Sequence, residues 1–108
     1  MKGYFDGASR GNPGSAGAGA LLVNDAGEIV WETARFLGTK TNNEAEYNAL
    51  ILLLKAARER NIKELKVYGD SKLVVSQVSR QWKINLPHLR TLAKEVWELM
   101  DGIDVSLE

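Results

Sequence analysis

Cysteine is absent from this 108-residue chain and histidine occurs once, which limits the chemistry that the sequence allows. Without cysteine there are no disulfide bonds and no thiolate metal sites, so a bound metal would rest on oxygen ligands. No apolar run approaches the roughly 18 residues of a membrane span, and the N-terminus lacks the hydrophobic core of a signal peptide. The sequence therefore predicts no membrane association and a cytoplasmic location.

Neither sign of charge is in excess, because 14 basic residues balance 14 acidic ones. The charges are nevertheless segregated: the segment 71–94 contains no acidic residue, and the segment 95–108 contains no basic one. Such segregation places a positive surface beside a negative one, although two solvated helix faces of opposite sign explain it equally well. The length and an apolar fraction of 44% predict a single domain, residues 1–108.

The apolar pattern predicts the element order β-β-β-α-β-α-α-β. The first strand is expected from Lys2 to Asp6, followed by a loop rich in glycine and proline. Two β-rich runs, "AGALLV" and "EIVWETARFL", are joined by "NDAG", which is a hairpin signal. This order predicts an α/β fold with a mixed sheet, in which three antiparallel strands are followed by parallel crossovers and helices pack on the sheet.

The second half of the chain predicts three helices of different character. The run "EAEYNALILLLKAARER" is apolar around most of its circumference, as a core helix is. The run "SKLVVSQVSR" predicts a short helix after the strand "LKVYGD". An amphipathic helix is expected in "LPHLRTLAKEVWELM", with Pro87 in its first turn and Gly102 at its end. The final run, "IDVSL", alternates as a half-buried strand does.

Two of the predicted strands carry lysine, tyrosine and aspartate at alternate positions, ending at Asp6 in the first and Asp70 in the fourth. If these strands are parallel neighbours, the two aspartates lie side by side at the carboxyl edge of the sheet, where ligands of α/β sheets bind. Glu46, in the first turn of the long helix, is a third candidate. Three converging carboxylates form an all-oxygen site suited to Mg2+ or Mn2+, the ions of phosphoryl-transfer chemistry.

Each of these carboxylates also has an ordinary structural explanation. Asp6 and the glycine after it form a common turn pair. Glu46 could complete a capping box that begins at Asn43. Asp70, with Ser71, could cap the short helix. For each carboxylate considered alone, the structural explanation is favoured. For the three together, their predicted position at one edge of one sheet favours a metal site.

Three motifs, "FDGASRGNPG", "TNNEAEYNAL" and "YGDSKLVV", resemble the type 1 ribonucleases H in sequence, order and spacing, especially the compact forms without a basic protrusion. The resemblance extends from Tyr4 to the final strand. It implies a ribonuclease H-like five-stranded mixed sheet with helices on both faces. It also implies a metal-dependent endonuclease that hydrolyses the RNA strand of RNA–DNA hybrids by a two-metal-ion mechanism, with Mg2+ as cofactor.

The resemblance assigns metal-binding and catalytic roles to Asp6, Glu46 and Asp70, with Glu46 also near the RNA 2′-hydroxyl. It implies substrate contacts from nine further residues: Ser9, Gly11, Asn12, Thr41, Asn42, Asn43, Ser71, Trp82 and Lys83. The loop residues and asparagines would line the minor groove, and Thr41 would contact a DNA phosphate. Trp82 and Lys83 would face the DNA strand, although a core or interhelix position for Trp82 stays equally open. His88 opens a helix and does not match the family's mobile histidine.

The family continues beyond its last strand into a loop and a helix that supplies a fourth carboxylate, whereas this sequence ends at Glu108. The resemblance therefore leads us to expect that the C-terminal helix is absent and that turnover is weakened. The same absence leads to two further expectations: that Mn2+ can substitute for Mg2+, and that neighbouring copies in a homo-oligomer can cover the bare sheet. Two alternatives stay open: a hybrid-binding module without turnover, and a fragment that folds only by oligomerisation or with a separate C-terminal segment.

Overall fold

The computed structural model describes all 108 residues and contains five strands and three helices. The strands are β1 (Lys2–Gly11), β2 (Gly14–Val23), β3 (Ile29–Lys40), β4 (Glu64–Tyr68) and β5 (Asp104–Leu107). The helices are α1 (Asn42–Glu59), α2 (Lys72–Val78) and α3 (Pro87–Met100). The predicted α/β class and the predicted element order are confirmed.

The five strands form one mixed sheet in the order β3-β2-β1-β4-β5. β1 is central, and it pairs antiparallel with β2 on one side and parallel with β4 on the other. β3 continues the antiparallel half, and β5 continues the parallel half. The predicted arrangement of an antiparallel meander followed by parallel crossovers is thus confirmed, and it gives the amino-terminal part of β1, from Lys2 to Tyr4, a paired neighbour on each side.

The extent of β1 differs from the prediction. The strand was expected to end at Asp6, but it continues to Gly11, and Asp6 pairs with Gly19 in the middle of the ladder with β2. Only Asn12 and Pro13 separate the two strands. The predicted loop was wrong because glycine and serine indicate turns only when no partner strand is available, and here β2 pairs along the whole segment.

The two faces of the sheet have different surroundings. Along β1 the residues Gly3, Phe5 and Gly7 are buried, whereas Tyr4 and Asp6 on the opposite face are exposed. α1 packs across β1 and β2 on the buried face, and α3 packs against α1, so that 19 buried residues form one core. The resemblance implied helices on both faces; in this chain they lie on one, and no helix covers the face that carries Asp6.

Helix ends follow local sequence signals. Pro87 occupies the first turn of α3, and Gly102, just past its end, adopts a positive φ of 84° that glycine tolerates without strain. α1 is the longest helix and contributes ten of the buried residues. No helix combines the length and the apolar character needed to cross a bilayer.

Candidate metal centre

Asp6 and Asp70 are brought together by the parallel pairing of β1 with β4. The ladder pairs Tyr4 with Tyr68, and the two rings stack with their centroids 5.2 Å apart. Two positions past this pair, Asp6 lies on the same face of β1 as Tyr4, and Asp70 lies two residues beyond the end of β4, which was expected to include it. Both aspartates line one cleft of about 770 Å3 on the uncovered face of the sheet.

The ordinary explanations for the two aspartates do not hold. Asp6 lies inside β1 and not in a turn. Asp70 does not cap α2, because the hydroxyl of Ser71 accepts the hydrogen bond from Val74 N at 3.2 Å. Neither carboxylate therefore has a structural role in its own element. Ser71, a predicted substrate contact, is the N-cap of α2.

The capping box of α1 uses residues other than those considered from the sequence. Thr41 is the N-cap: its hydroxyl accepts a hydrogen bond from Glu44 N at 3.2 Å, and Glu44 Oε1 accepts one from Thr41 N at 2.9 Å. The alternative of a box from Asn43 to Glu46 was therefore wrong. Glu46 is left without a capping role, one turn further into the helix.

The carboxyl group of Glu46 is buried and incompletely satisfied. The residue is only 7% exposed, and its Oε2 atom is buried without a hydrogen-bond partner. Burial, followed by the charge of Asp6, raises the pKa of Glu46 from 4.5 to about 7; the Gly7 backbone N–H opposes this rise, and the charge of Asp70 adds a smaller one. These charge effects indicate that the three carboxylates are near neighbours, although they come from distant parts of the sequence.

Gly7 explains why the helix comes so close to the strand. A Cβ atom at this position would lie 2.3 Å from the carbonyl carbon and oxygen of Ala45 and 2.5 Å from the nitrogen of Glu46. The backbones of β1 and α1 are thus in direct contact beside Asp6. The sequence interpretation treated Gly7 as a turn residue and missed this role, because a glycine in a single sequence does not indicate what approaches it.

The donor set fits a hard divalent cation. All candidate ligands are carboxylate oxygens, and the unpaired Oε2 of Glu46 is a buried acceptor that a cation would satisfy. As the side chains stand, no group of three or more histidine, aspartate or glutamate residues is placed to enclose a metal ion. Carboxylates without a cation repel each other, which opposes closer convergence. The structure thus brings the three residues to one edge of the sheet without forming a closed cage.

The turn between β1 and β2 is tied to the start of α1 by two asparagines. Asn42 N donates a hydrogen bond to Asn12 Oδ1 at 3.1 Å, and Ser9 N donates one to Asn42 Oδ1 at 3.3 Å. The Ser9 hydroxyl in turn donates to the carbonyl of Gly11. Most of the predicted minor-groove residues are therefore neighbours, with Asn43 following them in the helix. Their side-chain oxygens fix the two segments to each other.

A second cleft, of about 550 Å3, lies beyond the end of α2 and carries only positive charges. Its charged and aromatic lining residues, here called the basic–aromatic patch, are Arg80, Trp82, Lys83, Arg90, Lys94 and Trp97. The Trp82 side chain is 45% exposed, so the alternative of a core position was wrong. The guanidinium of Arg80 lies 3.9 Å from the Trp97 ring centroid, a cation–π contact.

The sequence interpretation named only Trp82 and Lys83 from this patch. The acid-free segment 71–94 was the signal for the other cations, but it does not show which of them share a cleft. His88, which the sequence did not favour as a functional residue, is exposed in the first turn of α3.

Comparison with known proteins agrees with this architecture. The strand order and the acidic carboxyl edge define a ribonuclease H-like α/β domain. A family model described as "Reverse transcriptase-like" matches residues 4–107. The chain is 46% identical to a protein named Ribonuclease HI from Halobacterium salinarum over 101 residues, which cover 94% of this chain and 51% of that protein. The chain belongs to the ribonuclease H family, and it spans about half the length of this relative.

Solved structures show the same fold. The crystal structure of RNase H1 from Halobacterium salinarum superimposes with a TM-score of 0.95 at 44% identity, covering 99% of this chain and 82% of that one. LC11-RNase H1, solved in complex with an RNA/DNA hybrid, superimposes with a TM-score of 0.93 at 29% identity, with coverage of 99% and 82%. The predicted ribonuclease H-like sheet is confirmed.

Substitution of Gly7 by alanine is expected to destabilise the fold and to weaken the candidate centre. The new Cβ would overlap the backbone of α1, so the helix must move away from β1 at a cost of about 1–3 kcal/mol in the free energy of unfolding. Urea denaturation measures this cost. Gly17→Ala is the matched control, since a Cβ there meets nothing nearer than 3.5 Å. Equal stability of the two variants would contradict the close contact.

The stability of the metal-free protein should fall as pH rises from about 5 to about 8, because Glu46 holds its proton more tightly in the folded state than in the unfolded state. The stabilising contribution of the protonated Glu46 carboxyl is fully present below 4.5, the pKa of this group in the unfolded chain. It is lost as pH rises through about 7, the pKa of the group in the folded protein. The free energy of unfolding of the wild type should fall by about 3 kcal/mol more over this pH range than that of Glu46→Gln, which has no carboxyl to titrate at this position. Urea denaturation in EDTA measures both proteins, and parallel pH profiles would contradict the burial argument.

Proposed function

We propose that this chain is a metal-dependent endonuclease that hydrolyses the RNA strand of RNA–DNA hybrids. One observation carries the proposal: Asp6 and Asp70, which follow the paired ends of β1 and β4, line one cleft, and the carboxylate of Glu46 is buried with one oxygen unpaired. Family membership and the hybrid bound to the similar LC11-RNase H1 support the choice of substrate.

In this proposal Asp6, Glu46 and Asp70 would hold Mg2+, for which Mn2+ could substitute. Such cations would neutralise charge at the scissile phosphate and lower the pKa of the attacking water. The protein contributes position: one carboxylate lies on the central strand, the second follows the adjacent parallel strand by two residues, and the third comes from a helix in direct backbone contact with the sheet. Such a rigid scaffold holds the ligands without a large cost in side-chain entropy.

Substrate recognition is proposed for two separate surfaces. The turn that contains Ser9, Gly11 and Asn12, with Asn42 and Asn43 at the start of α1, would read the minor groove. Asn12 and Asn42 use their oxygens within the protein, which leaves their NH2 donors free for groove acceptors and 2′-hydroxyls.

The DNA strand of the hybrid is proposed to contact Thr41, which precedes Asn42 in the chain, and the basic–aromatic patch. Thr41 accepts a hydrogen bond as a helix cap, and its hydroxyl proton remains able to donate to a phosphate oxygen. The basic–aromatic patch, with Trp82 and Lys83, would then contact the backbone further along. Phosphate contacts of this kind position a duplex without reading its sequence.

A hybrid-binding module without turnover is the second candidate. The open arrangement of the carboxylates favours it, since no three acidic side chains enclose a cation as they stand. The two candidates differ in one outcome: both predict salt-sensitive binding, but only the first predicts a cleaved RNA strand.

Asp6→Asn is expected to lower the rate of hybrid cleavage by more than about a hundredfold, because it removes a proposed metal ligand. The assay uses an end-labelled RNA–DNA hybrid with Mg2+ or Mn2+. Asp104→Asn is the matched control, an exposed aspartate at the start of β5. Cleavage that survives Asp6→Asn would overturn the proposed site, and no cleavage by the wild type with either metal would favour the binding module.

Binding of the hybrid should weaken steeply with salt, and Lys83→Ala should reduce the slope of log affinity against log salt by about 1. Fluorescence anisotropy in the Asp6→Asn background measures binding without cleavage. Lys63→Ala, an exposed lysine just before β4, serves as the control with an unchanged slope. The role of the patch would be excluded by identical slopes for both lysine variants.

A further inference from the structure

A buried hydrogen bond joins the helix that carries Glu46 to the helix that follows Asp70. The hydroxyl of Tyr47 donates to Gln77 Oε1 at 2.7 Å. Tyr47 is fully buried in α1, and Gln77 in α2 is 6% exposed. Polar groups are rarely placed in a core unless they hydrogen-bond, since an unpaired buried partner is costly.

This bond is the only directional contact between α1 and α2, because no other hydrogen bond or ion pair joins them. The remaining contacts are apolar, from residues such as Val74 and Val78. Apolar contacts stabilise the packing but permit small sliding movements, whereas a hydrogen bond at 2.7 Å restricts both distance and angle. The bond therefore determines how α2 lies along α1.

The bond connects two helices that each lie next to one of the carboxylates, either as part of the helix or just before it. Tyr47 follows Glu46 directly in α1, and α2 begins two residues after Asp70. A shift of α2 relative to α1 would therefore move Asp70 relative to Glu46. The third carboxylate, on Asp6, is held separately, because β1 contacts α1 at Gly7 and pairs with β4.

We propose that Tyr47 and Gln77 are positioning residues of the candidate metal centre, and that their hydrogen bond sets the separation between the carboxylates of Glu46 and Asp70. The inference rests on the proposed function and extends it to two residues that do not contact metal or substrate. A phenylalanine at position 47 would fill the same core volume without setting this separation.

The chemistry of the pair suits this role. The Tyr47 hydroxyl is buried and donates its proton in a hydrogen bond to Gln77. Gln77 is uncharged and accepts the bond without a desolvated charge in the core. Loss of one partner leaves a buried polar group unpaired, whereas loss of both partners can be nearly neutral for stability. A variant that lacks both partners can therefore regain stability while the positioning contact stays absent, which separates a positioning role from a purely stabilising one.

The test measures Mn2+ binding to the full chain without nucleic acid, from the electron paramagnetic resonance signal of free Mn2+. Tyr47→Phe should raise the Mn2+ dissociation constant about tenfold, as loss of a partner that orients a ligand does. The double variant Tyr47→Phe/Gln77→Met removes both polar partners. It should recover stability in urea relative to Tyr47→Phe while keeping the weakened Mn2+ binding.

Arg58→Met is the matched control. Arg58 ties the other end of α1 to α3 through hydrogen bonds to the carbonyls of Leu99 and Asp101, far from the carboxylates in sequence. Its loss should lower stability without changing the Mn2+ dissociation constant. A dissociation constant that follows stability in all three variants would overturn the positioning role.

The remaining outcomes separate this inference from the proposed function. Mn2+ binding by the wild type that Asp6→Asn abolishes, together with unchanged binding in Tyr47→Phe, overturns the positioning role alone. Absence of Mn2+ binding by the wild type overturns the metal site and the positioning role with it. Weakened binding in both Tyr47→Phe and the double variant, with recovered stability in the latter, supports the inference.

Discussion

The backbone contact between β1 and α1 at Gly7 is the constraint on which the candidate site depends. Because no side chain separates the two elements, Glu46 is held beside Asp6 inside the protein. Its carboxyl is buried with one oxygen unpaired, and its pKa is raised to about 7 by burial and then by the neighbouring acidic charges. A carboxyl in this state is destabilised when it ionises alone and is stabilised when a cation is bound.

The three carboxylates are positioned by three different interactions. Sheet pairing places Asp70 next to Asp6, the glycine contact brings Glu46 to them, and the hydrogen bond from Tyr47 to Gln77 limits movement between the two helices. None of the three residues lies on a long flexible loop. The site is therefore preorganised by the same packing that stabilises the core, and changes in that packing affect the site directly.

The neutral net charge of the chain conceals two regions of opposite character. Acidic side chains meet at the carboxyl edge of the sheet, while the basic–aromatic patch has no acidic residue in its lining. An acidic centre alone would repel the phosphates of a nucleic acid. A separate positive surface offsets this repulsion and can orient a duplex across the edge. Total charge is thus a poor guide to partners when the charges are segregated in space.

Local periodicity was sufficient to predict the element order, the helix that begins at Pro87, and the common face of Tyr4 and Asp6 on β1. These features depend on residues close in sequence, through alternation in strands and the helical repeat. Tertiary structure alone decided that β1 continues past Asp6, that Trp82 lies at the surface, and that the backbone of α1 contacts β1 at Gly7. Each depends on which distant segment lies opposite, and a single sequence carries no direct record of its spatial neighbours.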